Sequence, residues 1–261
     1  MSRRGEPAMA VALAASLVVT AAHAASRSQI PAADFPSFAF QQHPGAALPL
    51  DSILRGPDGH PLRLGSLFGA RPVVLDFDYD RCQTLCGVVL DQVTAALRAL
   101  PLDPLRDYEL IGVDIDPQAT PQDAAAFARR HGAEHPGMIV LTGDETSVRR
   151  LAESAGFSYR RDDATGQFAH PAGIVIATPA GRISRYLPGV SWRPLDLRLA
   201  LAEAAGETVA APSERLLLLC YCYDPQTGQY DLAVGDLLKV VGALTLLALG
   251  SIVWFAAHRA G

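Results

Sequence analysis

Two cysteines that lie four residues apart, Cys82 and Cys86, are the side chains of this sequence best suited to chemistry. They stand between an apolar run typical of a strand and an amphipathic run typical of a helix, which places both sulfurs on one face at a helix start. The N-terminus of a helix favours thiolate over thiol. Paired thiolates are soft ligands that suit Cu(I) and, with an imidazole added, also Cu(II). The sequence therefore offers a candidate metal or redox pair.

The spacing of the two cysteines leaves three roles open. Cα atoms at positions i and i+4 of a helix lie about 6 Å apart, which is within disulfide range. The pair could hold a metal when it is reduced, exchange disulfides with a partner, or form a plain structural disulfide. The elements around the pair and the other polar residues must decide between these roles.

The elements that position the pair alternate between strand and helix. Apolar periodicity, capping residues and turn signals predict, in order, a small hairpin at 54–64, a strand at 73–79, a helix at 85–100, a strand at 108–115, a helix at 121–131, a strand at 138–141, a helix at 145–155, a hairpin at 174–187 and a helix at 194–205. This order implies an α/β fold with right-handed crossovers and an antiparallel sheet edge. We therefore predict a thioredoxin-like domain with a central mixed sheet.

His170 is the candidate third ligand. It lies in the turn just before the hairpin that starts at residue 174. In a thioredoxin-like sheet that turn faces the first strand-to-helix turn, so the imidazole can approach Cys82 and Cys86. An imidazole beside two thiols would complete a copper site. Taken alone, a histidine is more often a surface residue or a satisfied core residue.

Composition and the chain ends indicate an exported, membrane-tethered domain. Residues 1–24 combine two arginines, a small apolar run and Ala22-His23-Ala24, which is the order of a secretory signal peptide. Residues 25–50 are predicted to be a linker. No charged residue occurs from 240 to 257, and we predict a transmembrane helix over 237–258. A net charge of -5 without a Lys/Arg-rich run argues against nucleic acid as a partner.

A second pair of cysteines, Cys220 and Cys222, lies in the juxtamembrane segment 208–236. On an extended chain both would point the same way, with Tyr221 and Tyr223 opposite. The two thiols could share Cu(I) as an accessory metal site. Alternatively, they are small buried residues on a strand that covers the sheet.

Other polar residues near the pair have simpler interpretations. Asp76, Asp78 and Asp80 alternate along the first long strand and project to one face, where they could tune a metal site or contact a partner. For Asp78 and Asp80 a strand end that emerges into solvent is the simpler interpretation. His131 and His135 lie at a predicted helix end, where capping or solvation is expected.

Four separated stretches resemble the Sco/SenC family: residues 78–87, 113–117, 141–143, and His170 with 172–176. They occur in order over residues 50–205, and the resemblance places a Sco/SenC domain at 51–207. It implies a membrane-tethered, thioredoxin-fold copper protein that binds copper through Cys82, Cys86 and His170. Asp116 matches a family aspartate near the site but is not named as a ligand. Many members have proline beside the motif cysteines, where this sequence has Gln83 and Gly87.

The resemblance also implies a function and a location. Family members help to assemble the binuclear copper site of cytochrome c oxidase, so we expect copper delivery to the copper-bearing oxidase subunit, with an upstream copper donor, rather than catalytic turnover. An alternative is a thiol-disulfide oxidoreductase that reduces the copper-ligating cysteines of that subunit. A third hypothesis is that the cysteine pair is a thiol sensor of oxidants. We expect a bacterial inner-membrane protein whose soluble domain faces the periplasm.

Overall fold

The computed structural model of the protein describes residues 39–82, 86–104, 106–131, 137–161, 166–206 and 221–232, together with a few positions between 239 and 254. The predicted signal peptide, residues 1–24, lies outside the described residues. Within the part of the chain that the structure describes, no helix has the length and apolarity needed to cross a bilayer. Many positions of the predicted span over 237–258 also lie outside that part, so the span stays a prediction.

Eleven strands and four α-helices make up the described fold. The strands are β1 (Ile53–Arg55), β2 (Pro61–Arg63), β3 (Val73–Asp78), β4 (Glu109–Asp114), β5 (Met138–Leu141), β6 (Arg160–Arg161), β7 (Phe168–Ala169), β8 (Gly173–Ala177), β9 (Ile183–Pro188), β10 (Tyr221–Asp224) and β11 (Gln229–Leu232). The helices are α1 (Cys86–Arg98), α2 (Pro121–Arg130), α3 (Glu145–Ser154) and α4 (Pro194–Ala205). A short 3-10 helix spans Leu64–Leu67.

The central sheet is mixed, as the sequence predicts. Its order is β5-β4-β3-β8-β9, in which β3, β4 and β5 are parallel and β8 and β9 are antiparallel to their neighbours. Every residue of β3 and β4 is buried. The middle strand β3 therefore runs through the core and delivers its carboxyl end to the loop that carries Cys82.

Local capping fixes where the flanking helices begin. The side chain of Thr120 accepts a hydrogen bond from the N–H of Asp123, and the Asp123 carboxylate accepts one from the Thr120 N–H, which is a capping box before Pro121. Asp144 caps α3 in the same way through the N–H of Ser147. These signals are local in sequence, so both helix starts were predictable.

Residues from the predicted linker belong to the packed domain from residue 39 onward. The ring of Phe40 packs against those of Phe157 and Tyr186 at centroid distances of 5.7 and 5.5 Å. The Gln41 N–H donates to the Gly156 carbonyl at 2.8 Å. Gly156 has a positive φ of 66°, and a Cβ there would collide with the Gln41 carbonyl. The close approach of the two backbones thus depends on glycine.

The segment after α4 also packs onto the domain. Strands β10 and β11 form an antiparallel hairpin, which the sequence analysis did not predict. Tyr230 is buried, and its hydroxyl donates to Glu203 at 2.7 Å. The Tyr223 hydroxyl donates to the Tyr186 carbonyl of β9. The hairpin is therefore fixed to both α4 and the sheet edge.

Candidate metal centre

The loop between β3 and α1 positions the two cysteines. The chain turns after β3 so that the Cys82 N–H donates to the Tyr79 carbonyl at 3.1 Å. Cys86 opens α1, and its N–H donates to the Cys82 sulfur at 3.4 Å. The two residues are joined by a disulfide with a Cα–Cα distance of 6.1 Å. This agrees with the separation expected for their spacing, and it shows the pair in its oxidised state.

His170 meets the cysteines from the opposite loop, as predicted. Its Nε2 lies 3.3 Å from the Cys86 Sγ, and its Nδ1 lies 2.8 Å from the Pro171 carbonyl oxygen. A carbonyl only accepts hydrogen bonds, so the ring proton sits on Nδ1 and the Nε2 lone pair faces the sulfur. The ligand atoms of Cys82, Cys86 and His170 all lie within 4.8 Å of one another.

Burial favours the neutral form of the His170 imidazole. The ring of His170 packs against those of Tyr79 and Phe157, at centroid distances of 5.9 and 5.4 Å. Desolvation lowers the pKa of His170, and the hydrogen bond to the Pro171 carbonyl opposes this only in part. A neutral imidazole is the form that binds metal. The pocket thus favours the form of His170 that can bind a metal.

Tyr79 joins the two loops of the site, a role that sequence reasoning missed. Its hydroxyl donates to Gln167 Oε1 at 2.9 Å and accepts the Phe168 N–H at 3.3 Å. The Tyr79 ring is buried next to His170. A tyrosine at the end of a buried strand is a weak signal, because its hydroxyl needs a partner that only the tertiary structure supplies.

A carboxylate and an ion pair brace the cysteine loop. Asp114, at the end of β4, accepts the N–H groups of Asp80 at 3.1 Å and of Asp116 at 2.9 Å. Asp116 is buried and forms a salt bridge with Arg81, next to Cys82. Within the described residues, Asp116 lies outside the group that could hold a metal. It therefore supports the loop rather than supplying a ligand.

Asp76 and Asp78 are buried, so the expectation of a solvent-exposed Asp78 was wrong. The physical reason is that β3 is the middle strand of the sheet and is covered along its whole length. Among the described residues, neither carboxylate oxygen of Asp76 has a hydrogen-bond partner. Burial raises the pKa of Asp76 to about 7 and that of Asp78 well above its usual value, and burial also raises the pKa of Asp114 to about 7. Asp80 is only half-buried.

The second cysteine pair is described only in part, because Cys220 lies outside the described residues. Cys222 is exposed on β10 and has no disulfide partner among the described residues. Tyr221 and Tyr223 pack towards the core, which is the alternation predicted for this segment. The accessory metal site stays a prediction. His135 also lies outside the described residues.

The helix-end role expected for His131 is confirmed for its backbone, whose N–H caps α2 by donating to the carbonyls of Phe127 and Ala128. Its side chain makes a contact that was not predicted: the ring lies against the first turn of α1 at Gly87. This contact joins residues 44 positions apart and has no local signal in the sequence.

Comparison with known proteins agrees with this geometry. The SCO1/SenC family model matches residues 58–202, which is more than half of the chain. The chain belongs to the SCO1/SenC family. None of the curated proteins matches it in sequence. The resemblance read from the four sequence stretches is therefore confirmed at the level of the family.

Solved structures support the fold of this SCO1/SenC chain. A protein of Aquifex aeolicus VF5 whose proposed role is electron transfer aligns with a TM-score of 0.59 and 25% identity over 64% of this chain and 96% of that chain. BsSco, a member of the Sco family of cytochrome c oxidase assembly proteins, aligns with a TM-score of 0.54 and 19% identity over 64% of this chain and 98% of BsSco. ScoI of Bradyrhizobium japonicum, solved with copper bound, aligns with a TM-score of 0.50 and 21% identity over 62% and 98%.

These likenesses agree with the α/β fold and mixed sheet described above. The Cys-Cys-His group of this chain is chemically suited to copper, since two soft sulfurs and one imidazole nitrogen converge and, among the described residues, no carboxylate belongs to the group.

Proposed function

We propose that this chain is a copper metallochaperone that binds copper through Cys82, Cys86 and His170 and delivers it to the binuclear copper site of cytochrome c oxidase. The observation that carries the proposal is the convergence of the two sulfurs and His170 Nε2 within 4.8 Å. Membership of the SCO1/SenC family and the copper held by the similar ScoI structure support it.

The disulfide gives this site a control by redox state. Both sulfurs are bonded to each other in the structure, so neither is a thiolate that could hold copper. Two electrons from a dithiol reductant would open the disulfide, and deprotonation of the two thiols would then provide the soft ligands. Reoxidation by a partner disulfide, which takes up the two electrons, would remove both ligands together. The same pair therefore takes copper when reduced and releases it when oxidised.

Copper titration of the reduced, purified full-length chain tests this proposal. We expect about one copper per chain, with thiolate-to-copper charge-transfer absorption for Cu(II). Cys82→Ser, Cys86→Ser and His170→Ala should each weaken binding by about 100-fold or more, because each removes one of three ligands. His60→Ala, at an exposed turn position, is the matched control and should bind as the unmodified chain does.

Two results decide the proposal. Unchanged copper affinity in all three ligand variants would contradict it. Transfer of bound copper to a purified copper-bearing oxidase subunit, at a rate above that of copper released into solution, would establish delivery.

The observed disulfide also favours a second candidate, a thiol-disulfide oxidoreductase that reduces the copper-ligating cysteines of an oxidase subunit. In that reaction one thiolate of the Cys82 and Cys86 pair attacks the client disulfide, and the second thiolate resolves the mixed disulfide. The client gains two electrons and the pair returns to the disulfide seen here. Reduction of the client with all metal chelated would support this candidate, and reduction that requires copper would exclude it.

We further propose that the domain is exported and held at the bacterial inner membrane by a C-terminal span over 237–258. The charge-free stretch from 240 to 257 and the signal-like order of residues 1–24 support this. Retention of the protein in membranes after alkaline carbonate washing, with protease sensitivity from the periplasmic side only, is the expected result. Removal of residues 237–261 should release the protein into the periplasm, and a cytoplasmic product would contradict the proposal.

A further inference from the structure

The first turn of α1 contains a glycine, Gly87, directly after Cys86. The His131 imidazole lies against this glycine, with Nδ1, Cε1 and Nε2 as the nearest atoms. A Cβ added at Gly87 would meet the Nδ1, Cε1 and Nε2 atoms of His131, with Nε2 at 2.8 Å. Real Cβ atoms do not approach this closely, so any side chain at position 87 would displace the ring.

The His131 ring is oriented by a carboxylate one turn further along α1. Its Nδ1 lies 3.5 Å from Asp91 Oδ2, a long contact that favours a proton on Nδ1. Gly87 and Asp91 are four residues apart and share a face of the helix. Pairing of one imidazole nitrogen with a carboxylate is the arrangement that prepares the other nitrogen to bind a metal. The ring also packs on Phe127 at a centroid distance of 4.8 Å.

Exposure differs sharply between this imidazole and the neighbouring sulfur. Cys86 is 2% exposed, whereas the side chains of His131 and Asp91 are 34% and 49% exposed. Gly87 is the residue after Cys86 in α1, so the ring lies on the helix turn that carries the sulfur, about 100° around the helix axis from it. His131 therefore presents a partly exposed imidazole on the helix turn that carries the buried Cys86 sulfur.

We propose that His131, oriented by Asp91, is a transient copper ligand that receives the ion beside Cys86 and passes it into the site. His131 is outside the Cys82, Cys86 and His170 group within the described residues, so it is not a fourth ligand of the loaded site. The transfer is a ligand exchange in which the Nε2 lone pair binds Cu(I), and a Cys86 thiolate then displaces it. Copper keeps its oxidation state, and the thiol proton goes to solvent. The proposal rests on the proposed copper-chaperone function.

The kinetics of copper loading test this role. Reduced full-length chain is mixed with Cu(I) supplied as its bicinchoninate complex, and the loss of that complex is followed by stopped-flow absorbance. His131→Phe keeps a ring on Gly87 but removes the nitrogens, and Gly87→Ala pushes the imidazole away while it keeps both. Each should slow loading by about tenfold, while the final affinity changes by less than about twofold. His60→Phe, at an exposed site away from α1, is the control and should load normally.

A merely structural role predicts a different pattern. If His131 only packs the end of α2 against α1, His131→Phe should load at the normal rate, because it retains the ring contact with Phe127. Normal loading rates in both His131→Phe and Gly87→Ala would overturn the proposal. Slow loading combined with an equal loss of final affinity would also overturn it, since that result indicates damage to the site itself.

A second measurement does not depend on the main site. In the Cys82→Ser, Cys86→Ser double variant, small amounts of Cu(II) should broaden the NMR signals of the His131 ring before those of His60. In a triple variant that also carries Asp91→Asn, the earlier broadening of the His131 signals should be lost. Equal broadening of the two rings would contradict the proposal. If instead the unmodified chain takes up no copper at Cys82 and Cys86 while His131 still binds Cu(II) selectively, the proposed function fails and the metal-binding role of His131 stands.

Discussion

At the scale of single residues, one hydroxyl group links the loop of the histidine to the loop of the cysteines. The Tyr79 hydroxyl bonds to Gln167 and to the Phe168 N–H, which lie just before His170, while Tyr79 itself lies just before the cysteine loop. The ligands come from loops 84 residues apart, so their convergence depends on such a connection. A metal site requires this support because a loosely held ligand loses affinity.

Tyr79→Phe should therefore weaken both the fold and the site. It leaves the buried Phe168 N–H without its acceptor, which should cost about 1–3 kcal/mol of unfolding free energy. Copper should dissociate about tenfold faster, because His170 is held less firmly. Chemical denaturation and stopped-flow removal of copper by a chelator measure the two effects.

Tyr159→Phe is the matched control for this prediction. Tyr159 packs in the same aromatic group, but its buried hydroxyl has no hydrogen-bond partner among the described residues. Removal of that hydroxyl should leave stability unchanged or raise it slightly. If Tyr79→Phe and Tyr159→Phe lose the same unfolding free energy and release copper at the same rate, the Tyr79 hydroxyl has no special role.

At the scale of elements, much of the fold was predictable because its signals are local. Met138–Leu141 and Pro194–Ala205 have the bounds that the sequence indicates, and the Thr120 cap marks the start of α2. The failures involve long-range contacts. Asp78 is polar, and only the position of β3 in the middle of the sheet shows that it is buried.

The candidate site likewise contains features that the sequence could predict and features that it could not. The cysteine spacing and His170 could be identified from the sequence, whereas the bond from Tyr79 to Phe168 and the contact of His131 with Gly87 could not. Each of these contacts joins residues that are far apart in sequence. The β10–β11 hairpin was missed for a related reason, since its tyrosines alternate but their partners are on β9 and α4.

The burial of Asp76 in β3 predicts a stability that depends on pH. Its pKa is about 7 in the folded chain, raised by burial, and 3.8 in its ordinary state. Between these values folding takes up a proton, so the stabilising effect of the protonated carboxyl is complete below about pH 4 and is lost as pH rises through about 7. The penalty at higher pH is on the order of 4 kcal/mol.

Asp76→Asn should flatten this pH dependence. Denaturant unfolding at pH 5 and pH 8 should show a smaller loss of stability for the variant than for the unmodified chain. Asp78 and Asp114 also have raised pKa values and will retain part of the slope. Glu153→Gln, on the exposed face of α3, should leave the slope unchanged. An identical slope in Asp76→Asn would show that this carboxyl does not carry the effect.

At the scale of the whole molecule, the β10–β11 hairpin joins the copper-site domain to the region of the predicted membrane span. It ends at Leu232, five residues before the proposed span starts, so at most about 18 Å of chain separates them. A hairpin that is firmly docked would then hold the domain close to the membrane surface. One of the contacts that dock it is made by Asp196, which is buried at the start of α4.

Asp196→Ala should release this hairpin. The Asp196 carboxylate accepts the Tyr230 N–H at 2.9 Å and two hydrogen bonds from Arg193, at 2.7 and 2.6 Å. Its loss leaves the buried Tyr230 N–H without its acceptor, while the Arg193 guanidinium keeps its hydrogen bond to the Tyr230 carbonyl at 2.9 Å. We therefore expect about 1–3 kcal/mol less stability. Amide hydrogen exchange should accelerate across 221–232, whereas exchange in β3 should accelerate only as much as the lower global stability requires.

Glu145→Gln, which breaks an exposed ion pair with Arg149, is the control and should cost less than about 0.5 kcal/mol of stability. If the hairpin amides of Asp196→Ala exchange no faster than those of this control, the docking of the hairpin rests on its tyrosine contacts with β9 and α4 instead.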